Sequence, residues 1–261
     1  MTVRIAQGRL GSFLYQDNDV FIGRSLHVYG EASEGELSLL RQTCKAGDWA
    51  VVAGANIGTI AVPMAMHVGS QGRLFAFEPQ RLTYQLLCGN LALNHIENTL
   101  AVQRAVGGVV GMTRVETLSY GRNANYGAIR VGVDDGEPVE MITLDSMSLP
   151  RLDVLVADVE GFEEEVLRGG DATICRCRPV LYLENNIREK SPALLGRLFA
   201  LGYKVWWHLV PMFHPGNGRG VTEDVFGGMI TVNILCLPEE RAGAINGMRP
   251  VGTADDWWRR D

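Results

Sequence analysis

Short apolar runs bounded by Gly, Pro, Asn or Asp alternate along this chain with longer mixed segments. The runs have the length of buried strands, and the mixed segments have the length of helices. Residues 12–29 read as one or two strands, with Gln16-Asp17-Asn18-Asp19 turning between them. Residues 33–46 read as a helix: Ser33 stands at the N-cap, Glu36 completes a capping box, and Leu37, Leu39 and Leu40 supply a face. Gly47-Asp48 ends it. A strand at 50–53 then runs into a Gly-rich turn and a helix to about residue 68.

The alternation goes on with strand 73–77, helix 81–94 and strand 100–104. Residues 111–143 break the pattern with Gly, Thr and β-formers, and predict an antiparallel hairpin or small insertion. Strand 154–157, helix 162–167, strand 179–183, helix 192–201 and strand 204–207 follow. Residues 208–228 are Gly- and Pro-rich and read as a long ordered loop before a last strand at 229–237. The polar tail from Glu239 ends in Trp257-Trp258-Arg259-Arg260, either loose or packed on a neighbour. Strands alternating with helices predict an α/β fold with a mainly parallel sheet covered on both faces. The expected organisation is an N-terminal segment of strands and a helix (1–46), a sheet domain (47–238) and a tail (239–261). Ligands of such sheets bind beyond the carboxyl ends of the strands, which directs attention to the loops that follow them.

Composition narrows the class. A chain of 261 residues fits one α/β domain with additions, and 46% hydrophobic with 21% charged residues is ordinary for a protein with a sizeable core. A net charge of −6 argues against nucleic-acid partners, which need clustered Lys and Arg. Residues 49–70 carry no Asp, Glu, Lys or Arg, but Asn56, His67, Pro63 and several glycines split them into strand, turn and helix, so no membrane span is expected. Five cysteines and a mixed polar start after Met1-Thr2-Val3-Arg4 suggest a reducing cytoplasm without a secretion signal. Cys175 and Cys177 form a lone pair without the second ligand set of a zinc site. A second copy of the chain is the one protein partner the sequence leaves room for.

Three post-strand loops carry candidate chemistry. In Val52-Ala53-Gly54-Ala55-Asn56-Ile57-Gly58 the glycines permit positive φ and a close ligand approach, and the helix behind them offers free N–H groups. Such a turn also serves simply to pack a strand against a helix. Phe77-Glu78-Pro79 ends the next strand with an acid able to accept both ribose hydroxyl protons, with Pro79 fixing the turn behind it. A dinucleotide site would require G-x-G-x-x-G, and Asn56 replaces the open geometry that a pyrophosphate needs. S-adenosylmethionine (SAM), an adenosine joined to a methionine with no phosphate, fits better. The third loop, Asp158-Val159-Glu160-Gly161-Phe162-Glu163-Glu164, can hold an ammonium, orient a substrate or bind a cation; helix-dipole preference accounts for Glu163 and Glu164 but less well for Asp158.

Gly47-Asp48, Gly54 to Gly58, Phe77-Glu78-Pro79, Leu144-Asp145, Asp158-Val159-Glu160-Gly161-Phe162-Glu163 and Leu183-Glu184-Asn185 together resemble the FkbM family of SAM-dependent methyltransferases, over residues 28–238. The D-V-E-G-x-E element is the most specific part. Trp207-His208, Pro211-Met212-Phe213, Pro215 and Asn217 look like one bacterial branch of it. The resemblance implies a Rossmann-like fold and, from the family's characterised members, O-methylation of hydroxyls on sugars, polyketides and other small natural products. On this reading the cofactor contacts are Glu31, Gly54, Ala55, Asn56, Gly58, Glu78, Pro79, Ala105, Asn125, Asp158 and Glu160, beneath the N-terminal segment.

Two positions depart from the family pattern: Val52 stands where an acid is usual and Val156 where lysine is frequent. A lost charge-assisted hydrogen bond costs on the order of 1.5–3 kcal/mol. Weak SAM binding, substitution by Glu31 or Asp158, and a non-catalytic scaffold of the same fold all remain open at this point. The candidate groups for taking the acceptor's proton are His208, Asp158 and Glu184, with His208 first, and His214 beside them. Asp158 with Glu184-Asn185 also resembles the acids of magnesium-dependent catechol-type enzymes, although solvated acids at strand ends are the plainer reading and no metal is assigned. Asn123 to Gly127 is either a turn or a loop that reaches the ligand, and Trp206, Trp207 and Phe213 either line an acceptor pocket or belong to the core.

Overall fold

The computed structural model describes residues 2–118, 121–243 and 245–259. The chain opens with a hairpin of β1 (Val3–Gly8) and β2 (Gly11–Gln16), whose register from Val3–Gln16 to Gly8–Gly11 puts the turn at Arg9-Leu10. The turn expected at residues 16–19 instead leads into helix α1 (Ile22–Tyr29), which corrects the strand reading of 20–29. Leu26 and Tyr29 are buried on one face of that helix, a helical period that β-branched composition had masked. The Asp19 carboxylate accepts from the N–H groups of Phe21 (3.0 Å) and Gly23 (2.9 Å), satisfying donors at the start of the helix. Gly30, at φ 71°, ends it in the left-handed conformation.

Helix α2 (Glu34–Thr43) starts where expected, but Ser33 is left-handed (φ 61°) and makes no side-chain cap bond, so no capping box forms. The sheet domain then runs through β3 (Trp49–Ala53), α3 (Ala61–Val68), β4 (Arg73–Phe77), α4 (Arg81–Leu93) and β5 (Thr99–Val102). The expected insertion is a three-stranded sheet of β6 (Ala105–Val106), β7 (Gly111–Val115) and β8 (Glu137–Ile142), ordered β6-β8-β7. The chain returns through β9 (Val154–Ala157), α5 (Glu163–Arg168), α6 (Asp171–Cys177), β10 (Val180–Glu184), α7 (Ser191–Ala200), β11 (Tyr203–Pro211), β12 (Ile230–Pro238) and β13 (Arg249–Pro250). Helix α6 has no counterpart in the sequence reading, and β11 extends four residues into the expected loop.

The main sheet has the order β13-β11-β12-β10-β9-β3-β4-β5. β5, β4, β3, β9 and β10 are parallel. β12 is inserted between β10 and β11 and runs against both, because it returns directly from β11. Two apolar layers follow from the alternation along each strand. Val52 and Val156 face Leu37, Val62 and Leu87 of α2, α3 and α4. Val51 and Leu155 face Val166, Ile174 and Leu194 of α5, α6 and α7. The tail does not stray: β13 pairs with the edge strand β11, and Trp257 meets Trp207 at 5.7 Å between ring centroids. Arg260 lies outside the described residues. No described helix is long and apolar enough to cross a membrane.

From β3 the chain moves outward to β4 and β5, then crosses back to place β9 on the other side of β3. The strand ends of β3 and β9 therefore border the switch point where such sheets open a crevice. Asn90 of α4 ties the N-terminal hairpin to this place. Its Oδ1 accepts from Leu14 N (2.6 Å), and its Nδ2 donates to Leu14 O (3.1 Å) and to Ile57 O (2.7 Å) in the glycine turn. Asn90 is fully buried. Asn90→Ala leaves these groups without partners and should lower stability by roughly 3 kcal/mol, read as a shift of the urea midpoint at unchanged slope.

Candidate functional site

The turn after β3 is built on enforced left-handed backbone: Gly54 at φ 78°, Asn56 at 50° and Gly58 at 95°. A Cβ on Gly54 would collide with the Asp158 carbonyl oxygen, so the turn after β3 touches the turn after β9 with no side chain between them. Glu78, at the end of β4, is buried and accepts from Asn56 N through Oε2 (2.9 Å) and from Gln80 N through Oε1 (2.8 Å). It thus fixes the glycine turn and keeps lone pairs for a ligand. Burial pushes its carboxyl up to about 7, against the two N–H bonds that favour the charge.

Beyond β9 the chain turns sharply, with Glu160 at φ 54° and Gly161 at 87°. Glu163 closes this turn: its Oε1 accepts from Val159 N (3.0 Å) and Gly161 N (3.3 Å). Asp158 and Glu160 are thereby turned onto one rim, opposite Glu184 at the end of β10. One carboxylate oxygen from each of the three lies within 4.8 Å of the others, a spacing that oxygen ligands of Mg²⁺ also adopt. Asn185, read together with Glu184 from the sequence, points away and donates to Ser191 Oγ (3.0 Å). Asp158 is exposed on the rim of the cleft, yet the protein packed around it, then the charges of Glu160, Glu36 and Glu163, push its carboxyl above the usual carboxylate range. Glu184 is raised well above it by burial and by Asp158, Glu160 and Glu163. Burial, with Glu163 beside it, pushes Glu160 to about 7. Asp158 and Glu184 thus crowd together as like charges, which disfavours ionising both at once.

These groups line a cleft of about 360 Å³, a size typical of small-molecule sites. Gly54, Asn56, Glu78, Pro79 and Asn125 form one end; Asp158, Glu160 and Glu184 form its middle. Phe21 and Ile22, Ile129 and Val131, and Met212, Met229 and Ile230 give it apolar walls. No Lys or Arg is among the described residues that line it. The segment around Asn125 is a loop over the cleft and more than a free turn. It is held by Val20 N to Ala124 O (3.0 Å) and lies so close to Asn56 that a Cβ on Gly127 would come within 2.9 Å of its Nδ2.

Other expected residues stand elsewhere. Ala55 is buried in a smaller cavity behind the turn. Gly58 lies against Leu87 of α4 and serves the turn itself. Ala105 is buried in β6 opposite Met141, outside the cleft. Glu31 is buried under the 212–229 loop, accepting from Arg9 Nη2 (3.0 Å) and Gly218 N (2.8 Å) and bonding His214 Nδ1 (3.2 Å), in a side cavity that Asp158 also borders. His208 faces Tyr182, with its Nδ1 2.8 Å from the hydroxyl, and does not line the cleft; burial lowers its pKa. Trp206 and Trp207 are core, and Phe213 packs on Tyr29. The residue that the sequence reading missed is Glu36. It lies four positions before the buried Leu40 on the inner face of α2, which is the signal that separates it from a cap residue.

The two departures turn out to be neighbours. Val52 and Val156 are register partners on the parallel pair β3–β9 and share one apolar layer. The pattern that the resemblance implies would set an acid and a lysine side by side here, where this chain has two valines in one apolar layer. Replacing a buried ion pair by well-packed apolar residues is often neutral or stabilising, whereas removing one partner is not.

The sequence matches the family model described as the methyltransferase FkbM domain over residues 53–205. No curated protein matches it significantly. Among solved structures, Trm5b from Pyrococcus abyssi superposes with a TM-score of 0.50 at 12% identity, over 91% of this chain and 56% of that one. The methyltransferase FkbM from Methylobacillus flagellatus KT has a TM-score of 0.48 at 14% identity over 74% of this chain. The chain spans 44% of that protein's length. The precorrin-6y C5,15-methyltransferase from Geobacter metallireducens GS-15 has a TM-score of 0.49 at 15% identity, over 78% of this chain and 86% of that one. At such identities the likeness concerns the fold alone.

The crowded carboxylates carry a stability consequence. Glu160 holds its proton in the folded chain up to about pH 7, above the ordinary glutamate value of 4.5 in the unfolded chain. Between about pH 4.5 and 7 the unfolded chain has released this proton and the folded chain keeps it, so stability falls across that window and the full cost stands above it, while at pH 4 both states are protonated and it costs nothing. Glu160→Gln should raise the melting temperature by roughly 2–4 °C at pH 8 and leave it unchanged at pH 4. An equal effect at both pH values would contradict the assignment.

Proposed function

The chain belongs to the FkbM methyltransferase family, and from that premise we propose that it methylates a hydroxyl of a small natural product or sugar. Its methyl donor is SAM, and the cleft suits this cofactor on its own evidence. A glycine leaves the backbone open where any Cβ would collide, a buried acid stands at the end of β4, and the middle of the cleft offers carboxylates with no Lys or Arg among the described residues that line it. Bound there, SAM supplies an electrophilic methyl group on a positively charged sulfur. Glu78 receives the ribose hydroxyls, Pro79 and Asn125 flank the nucleoside end, and Asp158 with Glu160 faces the cationic end.

The observation that carries the hydroxyl reading is the close acid pair Asp158–Glu184, set between the cofactor end and the apolar walls of Met212, Met229 and Ile230. Two carboxylates this close cannot both ionise easily, and a cationic ligand beside Asp158 favours loss of the proton that one of them would keep. Glu184 is then a carboxylate with a raised pKa, suited to accept the acceptor's hydroxyl proton near neutral pH as oxygen bonds to the methyl carbon and the carbon–sulfur bond breaks. The apolar walls take the acceptor's body and exclude water around the reacting atoms.

Both halves of this reading have a pH signature. Ribose hydroxyls bind the ionised form of Glu78, so SAM affinity should rise between pH 6 and pH 8 as this group, at about 7, loses its proton. Calorimetry at the two pH values reads it directly. With a hydroxylated acceptor found by methyl-labelled SAM, Glu184→Gln should cut turnover by roughly 10²–10⁴ while SAM affinity stays within a few-fold. Unchanged turnover in that variant removes Glu184 from the chemistry.

A further inference from the structure

Position 52 gives the glycine turn no acid, yet a carboxylate reaches the space beneath that turn from a different element. Glu36 projects from α2 into a cavity of about 60 Å³ lined by Val52, Gly54, Asn56, Val156 and Asp158. This is roughly the share of liquid volume taken by two waters, enough for an ammonium group and its α-carbon and too little for a nucleoside. Glu36 Oε1 is fixed by Thr231 Oγ1 (3.0 Å) and Asn233 Nδ2 (3.0 Å), both on β12. No Lys, Arg or His is among the described residues lining the cavity, so the charges of Glu36 and Asp158 meet there without a protein counter-ion. On the far side of Asp158, Glu184 Oε2 is buried and has no hydrogen-bond partner in the protein.

We propose that Glu36, together with Asp158, holds the α-ammonium group at the methionine end of SAM, in place of an acid on β3. The inference rests on the SAM reading above and adds to it the residue that makes up for Val52. An ammonium between Glu36 and Asp158 compensates both charges, and the bonds from Thr231 and Asn233 hold Glu36 in one rotamer before the ligand arrives. Glu36 is then a binding residue, and α2 becomes part of the cofactor site as well as its cover.

A purely structural Glu36 would only pin α2 to β12, and the test separates the two roles. Binding of SAM and of 5′-methylthioadenosine, which keeps the nucleoside and thioether but lacks the amino-acid end, is measured by calorimetry on wild type and E36Q. Glutamine retains an oxygen for Thr231 and Asn233 and loses the charge. SAM affinity should fall roughly ten- to hundredfold in E36Q while affinity for 5′-methylthioadenosine stays the same. Glu36→Asp, which keeps the charge, should retain more SAM affinity than E36Q. Equal loss for both ligands, no loss for either, or a weaker E36D than E36Q overturns the proposal. Wild-type protein that binds 5′-methylthioadenosine but not SAM overturns this proposal alone, and wild-type protein that binds neither overturns the SAM reading with it.

Discussion

The cleft depends on one contact: the turn after β3 lies directly on the turn after β9, with the Gly54 backbone against the Asp158 carbonyl. These strands are neighbours in the sheet and far apart in the chain, so their ends carry different loops into the same space. The Asp158 N–H donates to Ala53 O (3.1 Å), continuing the sheet one step past β9 before the chain turns away. The side chains that line the middle of the cleft are placed from this junction. Glu78 sits on its β4 side and holds Asn56; Glu160 and Glu184 sit on its β9–β10 side. A side chain at position 54 would push the two turns apart and separate these groups.

The same junction concentrates negative charge. Glu36, Asp158, Glu160, Glu163 and Glu184 all have carboxyls shifted upward, and burial is the first cause in every case. Lys190 stands beside Glu163, but no described Lys or Arg lines the cleft itself. A core designed for stability alone would not gather acids in this way, because each ionisation in a low-dielectric space costs free energy. The arrangement makes sense when a cation is the missing partner. A sulfonium and an ammonium carried by one ligand would satisfy several of these acids together, and the strain in the free chain becomes selectivity for that ligand.

Much of this was legible in the sequence, and the failures have identifiable causes. The strands of the parallel centre and the helices α3, α4 and α7 fell within a few residues of the reading, because continuous apolar runs and Gly punctuation carry short-range information. The N-terminal segment did not. Ile22, Leu26 and Tyr29 make a helical face only when Phe21 and Val20 are discounted, and nothing local announces that Asp19 will cap it. Gly54, Asn56, Glu78, Asp158, Glu160 and Glu184 meet in one cleft as the motifs suggested. His208 and Ala105 do not, since which face of a strand looks into a cleft depends on sheet order and not on the residue's position after a run. Glu36 escaped because a Ser-x-x-Glu spacing reads as a cap, and only packing against β12 reveals its other use.

Sheet order also changes what Val52 and Val156 mean. Taken one at a time, each is a lost charge, and two losses at a cofactor site suggest decay. Placed side by side on β3 and β9 within an apolar layer, they would, on the pattern the resemblance implies, be a single exchange of an ion pair for an apolar pair. Such an exchange leaves no buried charge without a partner, and so requires no compensation for stability. What that exchange would remove is a carboxylate from the edge of the glycine turn, and Glu36 lines the same cavity as Val52. On our proposal the two valines and Glu36 would amount to a relocation of the acid from the sheet to the covering helix. Recognition of the methionine end would then depend on the packing of α2 against β12, through the bonds of Thr231 and Asn233 to Glu36.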